Sequence, residues 1–461
     1  MAIVDEAMLI MVSANNNNNK FYHVTLSDTG TVTKRYGRVG VEGVSRTEST
    51  GRHGFDKVIR EKTNKGYKQT QIVSESSAAV KNDNLSDIAK KALVGSGGSN
   101  SILEELVDTL VRLNNHDILE TSGGLIKVNS EGLMTTPLGL INQNSINAAQ
   151  AILRSLETTP VSGARFVPQL EEYLSLIPQK VGSKRGWYET FFNEENTFAS
   201  QHEFLKQLSE SLALREERKK AAAEAEASAG ATDDELAKKY ENLFALKVSL
   251  LEDEKIFDSI NRMFEAGKSR HHHASASLKL KRVYVLNDDA SLEAYEEAKK
   301  RLGNVATLWH GTRANNVLSI LRKKLFVPSI SGSGIQIQGR LYGSGIYLSP
   351  SLLGELSEYG KRGGPKPVSG GSTKSLNYSV GGVWDRGPRD TNRCFMFLTE
   401  ATLGREFNPT ARYGYSDDRI QRAGKHDSIY AKAQQAGLMN DEVIIWNTKQ
   451  ISMRYLCEFG V

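Results

Sequence analysis

Cysteine is nearly absent: Cys394 and Cys457 are the only two in 461 residues. Two thiols cannot build a disulfide framework, and so low a content fits a reducing, intracellular setting. Long apolar runs are missing too. No stretch reaches the roughly 18 consecutive apolar residues that a bilayer crossing needs, so no membrane partner is expected. The opening MAIVDEAMLIMVSA holds a short apolar stretch, but acidic residues precede it, the wrong flank for a secretory signal. Neither sign of charge dominates. A net charge of +5 and a pI near 8.9 permit an anionic partner such as nucleic acid without requiring one. Histidine is sparse outside the run His271–His273. Three adjacent histidines cannot all face one ion, and no cysteine or second histidine cluster accompanies them, so no metal is expected.

The chain has room for about three domains at roughly 150 residues each. Residues 1–79 read as a small β-rich module. A strand at Phe21–Leu26 follows an asparagine run, SDTGTV reads as a hairpin turn, KRYGRVG as another strand and GFDKVIREKTNKGY as a helix. Its charge surplus is small, but Lys34, Arg35 and Arg38 are bunched. Residues 80–100, with VGSGGSNS, read as linker. Residues 101–267 are helical in pattern. A capping box at Ser101-x-x-Glu104 opens a helix with Leu103, Leu106, Leu110 and Leu113 on one face. Ile146, Ala149, Leu153 and Leu156 align on a second helix, and a later capping box, Thr232-x-x-Glu235, precedes Leu236, Tyr240, Leu243 and Phe244. The stretch REERKKAAAEAEASAGA reads as an exposed helix end or a loop. Residues 271–461 change texture again. SLKLKRVYVLN, ATLWHGT, GIYLS, RCFMFLTEA and DEVIIWN are short β-branched or aromatic runs separated by Gly, Asn and Ser, which is the pattern of a β-rich domain. YGKRGGPKPVSGGSTKS interrupts it as an insertion.

Within that domain, LYGSGIYLSP carries a Gly-x-Gly pair. A dinucleotide fingerprint would need a third glycine and an immediate helix. Ile346-Tyr347-Leu348 favours a strand instead, so the glycines serve a tight turn that delivers Tyr347. Taken singly, His310 after a strand, Tyr347 on one and Glu442 at the mouth of another are ordinary structural residues. Their local sequences change that. LWHGTRANN, YGSGIYLS, KSLNYS and NDEVIIW, in this order, resemble the signature segments of the poly(ADP-ribose) polymerase catalytic domain with its His-Tyr-Glu triad. NNNKFYHVTL, KRYGRVG and KVIREKTNKGY resemble the WGR domain of the DNA-damage-dependent members. PLGLINQNSINAAQAIL and LSLIPQKVG resemble their helical regulatory domain, and FMFLTEATLG the strand after the nicotinamide site.

The resemblance implies a multidomain α+β protein: a small β-rich WGR domain over 1–79, an all-α helical regulatory domain over 101–267, and a mixed β-rich ADP-ribosyltransferase catalytic domain over 271–461. It implies NAD⁺ as substrate and transfer of ADP-ribose to protein acceptors, the enzyme itself included, with release of nicotinamide. It further implies DNA strand breaks as activating partner, relief of autoinhibition on binding them, and a role in DNA repair, in the nucleus of a eukaryote or otherwise in the cytoplasm. By the family pattern His310 would bind the adenosine-ribose 2′-hydroxyl, Gly311 the nicotinamide carboxamide, and Thr312 and Asn316 the adenosine ribose. Tyr347 would stack on the nicotinamide ring. Glu442 would bind the nicotinamide-ribose 2′-hydroxyl, stabilise the cationic transition state and polarise the acceptor. Ser375 and Tyr378 in TKSLNYS fit the carboxamide contact and the second stacking face, with Tyr359 as the alternative for that face. A basic residue that many members carry aligns here with Phe326, and the WGR tryptophan aligns with Tyr36. Arg35, Tyr36 and Arg38 would form the DNA contact. Two other readings stay open: a catalytically weak DNA-end scaffold, and a mono-ADP-ribosyltransferase independent of DNA.

Overall fold

The computed structural model describes residues 2–13, 18–39, 43–70, 90, 93, 100–129, 133–136, 139–179, 186–192, 197–226, 244–267, 278–327, 342–350, 393–411, 415, 420, 424–438 and 441–460. These fall into two compact units. The first draws on Met1–Leu85 and Asp117–Lys219; the second draws on Ser86–His116, Lys220–Ser333 and Gly339–Val461.

The first unit opens with β1 (Ile3–Ser13), β2 (Asn18–Ser27), β3 (Val32–Arg38), β4 (Val44–Glu48), the helix α1 (Gly51–Asn64) and β5 (Lys68–Thr70). They form an antiparallel sheet in the order β4-β3-β2-β1-β5. The apolar run near the start of the chain is β1, a strand flanked by neighbours on both edges. Ala7 and Leu9 point into a core with Phe55 and Val58 of α1, while Met8 and Ile10 pack with Phe21 on the other face. A strand buried on both faces needs such an uninterrupted run. The Ser27 N–H donates to the Thr31 carbonyl at 2.9 Å, and Gly30, at φ +75°, donates to the Ser27 carbonyl at 3.0 Å, closing the hairpin that SDTGTV predicts.

The helical stretch begins with α2 (Ser101–Thr121), within which the boundary between the units falls. Its cap differs from the expectation. Asn100, not Ser101, caps it, its Oδ1 accepting from the N–H groups of Ile102 at 3.0 Å and Leu103 at 3.4 Å. Then come β6 (Lys127–Val128), β7 (Met134–Thr136), β8 (Gly139–Leu140), α3 (Gln143–Thr158), α4 (Phe166–Leu176), α5 (Trp187–Phe191) and α6 (Thr197–Glu226). The three short strands form a small sheet, so this stretch is helix-dominated but not free of strand. Ile146, Ala149, Leu153 and Leu156 are all buried, in one core with Phe166, Leu170, Phe204 and Leu208. The alanine-rich charged stretch continues α6 as far as Glu226; Thr232, Glu235, Leu236, Tyr240 and Leu243 lie outside the described residues.

The second unit is built on β9 (Lys247–Leu250), α7 (Glu254–Ala266), β10 (Lys279–Asn287), α8 (Asp289–Leu302), β11 (Val305–Gly311), α9 (Val317–Lys323), β12 (Ile346–Pro350), β13 (Arg393–Thr402), β14 (Glu406–Phe407), β15 (Ser428–Ala431), α10 (Ala433–Ala436), β16 (Glu442–Ile445) and β17 (Ile451–Gly460). The strands make one sheet in the order β14-β15-β16-β12-β11-β13-β17-β10-β9. Its central strands are apolar on both faces: Phe395, Phe397 and Phe459 are fully buried, and the Phe264 ring of α7 lies 4.6 Å from that of Phe459. Arg393, at the start of β13, joins α2 to this sheet. Its guanidinium donates to Glu458 of β17 at 2.5 Å and to Glu105 of α2 at 2.9 Å. Cys394 and Cys457 are buried in the same strands, and burial pushes both thiols up, that of Cys394 to about 12. Among the described residues no helix is long and apolar enough to cross a membrane.

Candidate functional site

Three neighbouring strands carry the three residues singled out by the sequence. In β11 the first five residues, Val305–Trp309, are buried and His310 and Gly311 emerge half-buried at the end. The strand is a core element until its last two positions, which is how a rigid strand presents a side chain at a cleft. β12 runs beside it, and β16 beside β12. Tyr347 pairs with Ile444, and side chains two apart in a strand share a face, so Tyr347 and Glu442 lie on the same side of the β12–β16 pair.

His310 is tied to that pair in a different way. The β11–β12 ladder consists of Leu308↔Pro350 and Trp309↔Ser349. One residue further on, the imidazole takes over: its Nδ1 lies 3.1 Å from the backbone oxygen of Tyr347. A carbonyl oxygen only accepts, so Nδ1 carries a proton and donates it here.

Tyr347 is held at its other end as well. Its hydroxyl accepts from the Tyr342 N–H at 3.1 Å and donates to the Gly343 carbonyl at 2.9 Å. Gly343 has φ +82°, a turn conformation that L side chains resist. Gly345 serves a separate purpose. A Cβ there would stand 2.4 Å from Cγ2 of Ile444, so the absence of a side chain lets β12 and β16 close on each other. The Gly-x-Gly pair thus makes one tight turn and one close approach. Thr312 is buried, and Asn316 donates to its hydroxyl at 3.4 Å, which brings these two predicted residues together just beyond β11. Gly311, the last residue of β11, pairs with Met396. Phe326 is exposed. Ser375, Tyr378, Tyr359 and His271–His273 lie outside the described residues.

On the first unit the predicted trio divides between two faces. Tyr36 of β3 stacks on Tyr22 of β2, ring centroids 5.0 Å apart and planes 6° from parallel, on the side that faces α1. Lys62 of α1 stands 4.0 Å over the Tyr22 ring, and Tyr67 meets Tyr22 edge-on at 6.4 Å. Arg38, two residues beyond Tyr36, shares its side of β3. Arg35 turns to the opposite face, its guanidinium 5.2 Å from the Phe21 ring. Tyr22 and Lys62 were not singled out from the sequence. The signal available for Tyr22 was its place directly across the hairpin from Tyr36.

One unit thus holds a helix-backed antiparallel sheet, and the other brings His310, Tyr347 and Glu442 onto three adjacent strands. Comparison with known families gives the modules their names. Residues 5–73 match the WGR domain, and residues 255–364 match the poly(ADP-ribose) polymerase catalytic domain. In these two stretches the chain is similar to the WGR and catalytic modules of poly(ADP-ribose) polymerases. The second match opens inside α7 and includes His310 and Tyr347; Glu442 lies beyond it. Among curated proteins, the chain is similar to rice poly [ADP-ribose] polymerase 1, with 27% identity over 40% of this chain and 18% of the rice protein. The Arabidopsis thaliana protein of the same name is 25% identical over 40% and 18%. Human protein mono-ADP-ribosyltransferase PARP4 is 24% identical over 42% of this chain and 10% of its own length. The matched stretches thus span under a fifth of these relatives' lengths.

Proposed function

We propose that the protein is an NAD⁺ ADP-ribosyltransferase that makes poly(ADP-ribose) on protein acceptors, itself included, in response to DNA breaks. The observation that carries the reading is the pairing of β12 with β16, which sets Tyr347 and Glu442 on one face beside an imidazole bonded to the Tyr347 backbone.

In the reaction the bond between nicotinamide and the ribose C1′ breaks and the electron pair leaves with nicotinamide. Positive charge builds on the ribose, as in glycoside hydrolysis through an oxocarbenium-like state. An acceptor oxygen then bonds C1′ and surrenders its proton. Tyr347 stacks on the flat nicotinamide ring, a contact worth about 0.5–1.5 kcal/mol beyond area burial. The Gly311 backbone grips the carboxamide, with Ser375 and Tyr378, or Tyr359, completing the slot. His310 hydrogen-bonds the adenosine-ribose 2′-hydroxyl, and Thr312 with Asn316 borders that sugar. Glu442 accepts from the nicotinamide-ribose 2′-hydroxyl, favours the cationic ribose electrostatically and polarises the incoming hydroxyl during elongation.

The WGR module would receive the broken DNA end. The stacked Tyr36–Tyr22 pair supports this: Tyr22 is buried under Lys62, which leaves the half-buried Tyr36 as the ring on offer, with Arg38 on the same side of β3. The helical regulatory segment would restrain the NAD⁺ site until DNA is bound, a coupling of two sites. The contact from Glu105 of α2 to Arg393 of β13 supports a helix held against the catalytic sheet. The second reading, transfer of a single ADP-ribose, is favoured by the names of the human and mouse relatives, both mono-ADP-ribosyltransferases.

Labelled NAD⁺ with and without nicked DNA tests the assignment. High-mass smearing product that requires DNA is expected, and Glu442→Gln is expected to keep NAD⁺ binding while losing elongation. Single-unit product in both arms would favour the second reading, and a folded sample that takes up no label would overturn both.

A further inference from the structure

β16 begins with two consecutive carboxylates, Asp441 and Glu442, and the fold treats them in opposite ways. Glu442 is half-buried on the Tyr347 side of the strand. Asp441 is 4% exposed, and its two oxygens have separate donors. Oδ1 accepts from the Ala433 N–H at 2.8 Å, and Oδ2 from the Tyr430 hydroxyl at 3.2 Å. Tyr430 is itself buried in the core beneath the sheet, with Val443 and Leu348.

These two donors sit on the two parts of the chain that fix the position of Glu442. Tyr430 belongs to β15, whose pairing with β16 runs Ile429↔Ile444, Tyr430↔Val443, Ala431↔Glu442. Ala433 opens α10, the short turn that follows β15. Asp441 stands one residue past the last pair and bonds both. A slip of one residue in a strand pairing turns every side chain to the other face. Such a slip would carry Glu442 into the core and Asp441 into the cleft. The Asp441 carboxylate opposes it, because its two hydrogen bonds can be made together in one register.

We propose that Asp441 is the positioning residue for Glu442, a buried carboxylate clamp that fixes the register of β16 and so the face on which Glu442 meets NAD⁺. The inference rests on the NAD⁺ reading of the site. Its geometric half, the register, is measurable without NAD⁺.

The experiment compares Asp441→Ala and Asp441→Asn in the full chain with two readouts: nicotinamide release from NAD⁺, and hydrogen exchange of the β15 and β16 amides without NAD⁺. Asp441→Ala removes both acceptors. It is expected to lower kcat about ten- to hundred-fold, the scale of a displacement near 1 Å, with KM within about two-fold because the His310 and Tyr347 wall is untouched. Its β16 amides exchange faster than those of the unaltered chain. Asp441→Asn keeps one oxygen for the Ala433 N–H and gives the Tyr430 hydroxyl an N–H to accept from, so it restores most of kcat and the slow exchange. Where Asp441→Ala does not fold, Tyr430→Phe removes one donor and should lower kcat in part with KM unchanged. Unchanged kcat in the variant that folds, an equal loss in Asp441→Asn and Asp441→Ala, or unaltered exchange across β16 overturns the proposal. If the unaltered chain releases no nicotinamide, the NAD⁺ reading falls, and the exchange data alone decide whether the clamp exists.

Discussion

Replacing Gly345 by alanine probes the close approach of β12 to β16. An ideal Cβ at this position falls 2.4 Å from Cγ2 of Ile444 and 3.3 Å from the Ile445 carbonyl oxygen. Two carbons rest at about 3.5–4.0 Å, so the pair must separate by about 1 Å or more. Ile444 cannot swing aside into solvent, being fully buried and packed with Tyr342, Ile429 and Ala431. Relief has to come from an unfavourable rotamer or from β16 moving off β12. Overpacking of this kind costs about 1–3 kcal/mol. The movement also separates the strands that carry Tyr347 and Glu442, so KM for NAD⁺ should rise together with the loss of stability. Urea unfolding and NAD⁺ kinetics measure the two effects. A double-mutant cycle isolates the cause. Ile444→Ala alone should cost about 2–5 kcal/mol, and Gly345→Ala added to it should cost almost nothing, since the methyl it strikes is gone. If the two costs simply add, the contact at Ile444 is not what excludes a side chain at Gly345, and the reasoning fails.

Glu400 on β13 accepts from the Tyr295 hydroxyl at 2.8 Å, Lys299 at 3.0 Å and Arg454 at 3.1 Å. Burial pushes its carboxyl up, but these donors and the Arg454 charge outweigh that and hold it below the usual range. A carboxyl depressed in the folded state contributes stability above its unfolded value and loses it as pH falls through the folded one. Glu400→Gln should therefore cost about 1–3 kcal/mol at neutral pH and less at about pH 3, below the unfolded value of about 4.3, where the contribution is being lost as pH falls toward the folded value. Equal costs at both pH values in urea unfolding would exclude the charge as their source. On the WGR module, Tyr36→Ala should weaken binding of nicked DNA by about 1–3 kcal/mol. Arg38→Ala should reduce the salt slope of that binding by about 1. Arg35→Ala, on the far face beside Phe21, should change neither; a loss there equal to that at Tyr36 would place the DNA on the other side of the sheet.

Most of the strand framework was legible because each strand is a short apolar run bounded by turn residues, from the β2 segment around Phe21–Leu26 to the β16 segment at Val443–Ile445. Helix faces were legible where the period is regular, as at Ile146, Ala149, Leu153 and Leu156. The N-cap of α2 was missed by one residue because Asn100 and Ser101 are both good caps, and the backbone alone chooses between them. Arg35 and Tyr36 were grouped by proximity in sequence, yet neighbours in a strand must face opposite ways. The parity of β3 already contained that division. The role of Asp441 was not legible. A carboxylate beside Glu442 reads as one more solvated charge until the fold brings Tyr430 and Ala433 over it. Nor does the sequence show the imidazole of His310 replacing a rung of the β11–β12 ladder, since that depends on where the two strands part.

The two cysteines give the protein a practical property. Both are buried in adjacent strands of the catalytic sheet, and burial pushes both thiols well above the range in which thiolate forms at neutral pH. To a maleimide the folded chain is therefore a blank background. One cysteine introduced at exposed Ser45 on β4 would be the single labelling point, at the edge of the WGR sheet and two strands from Tyr22. A dye there could report on events at the first unit while the catalytic sheet stayed chemically silent.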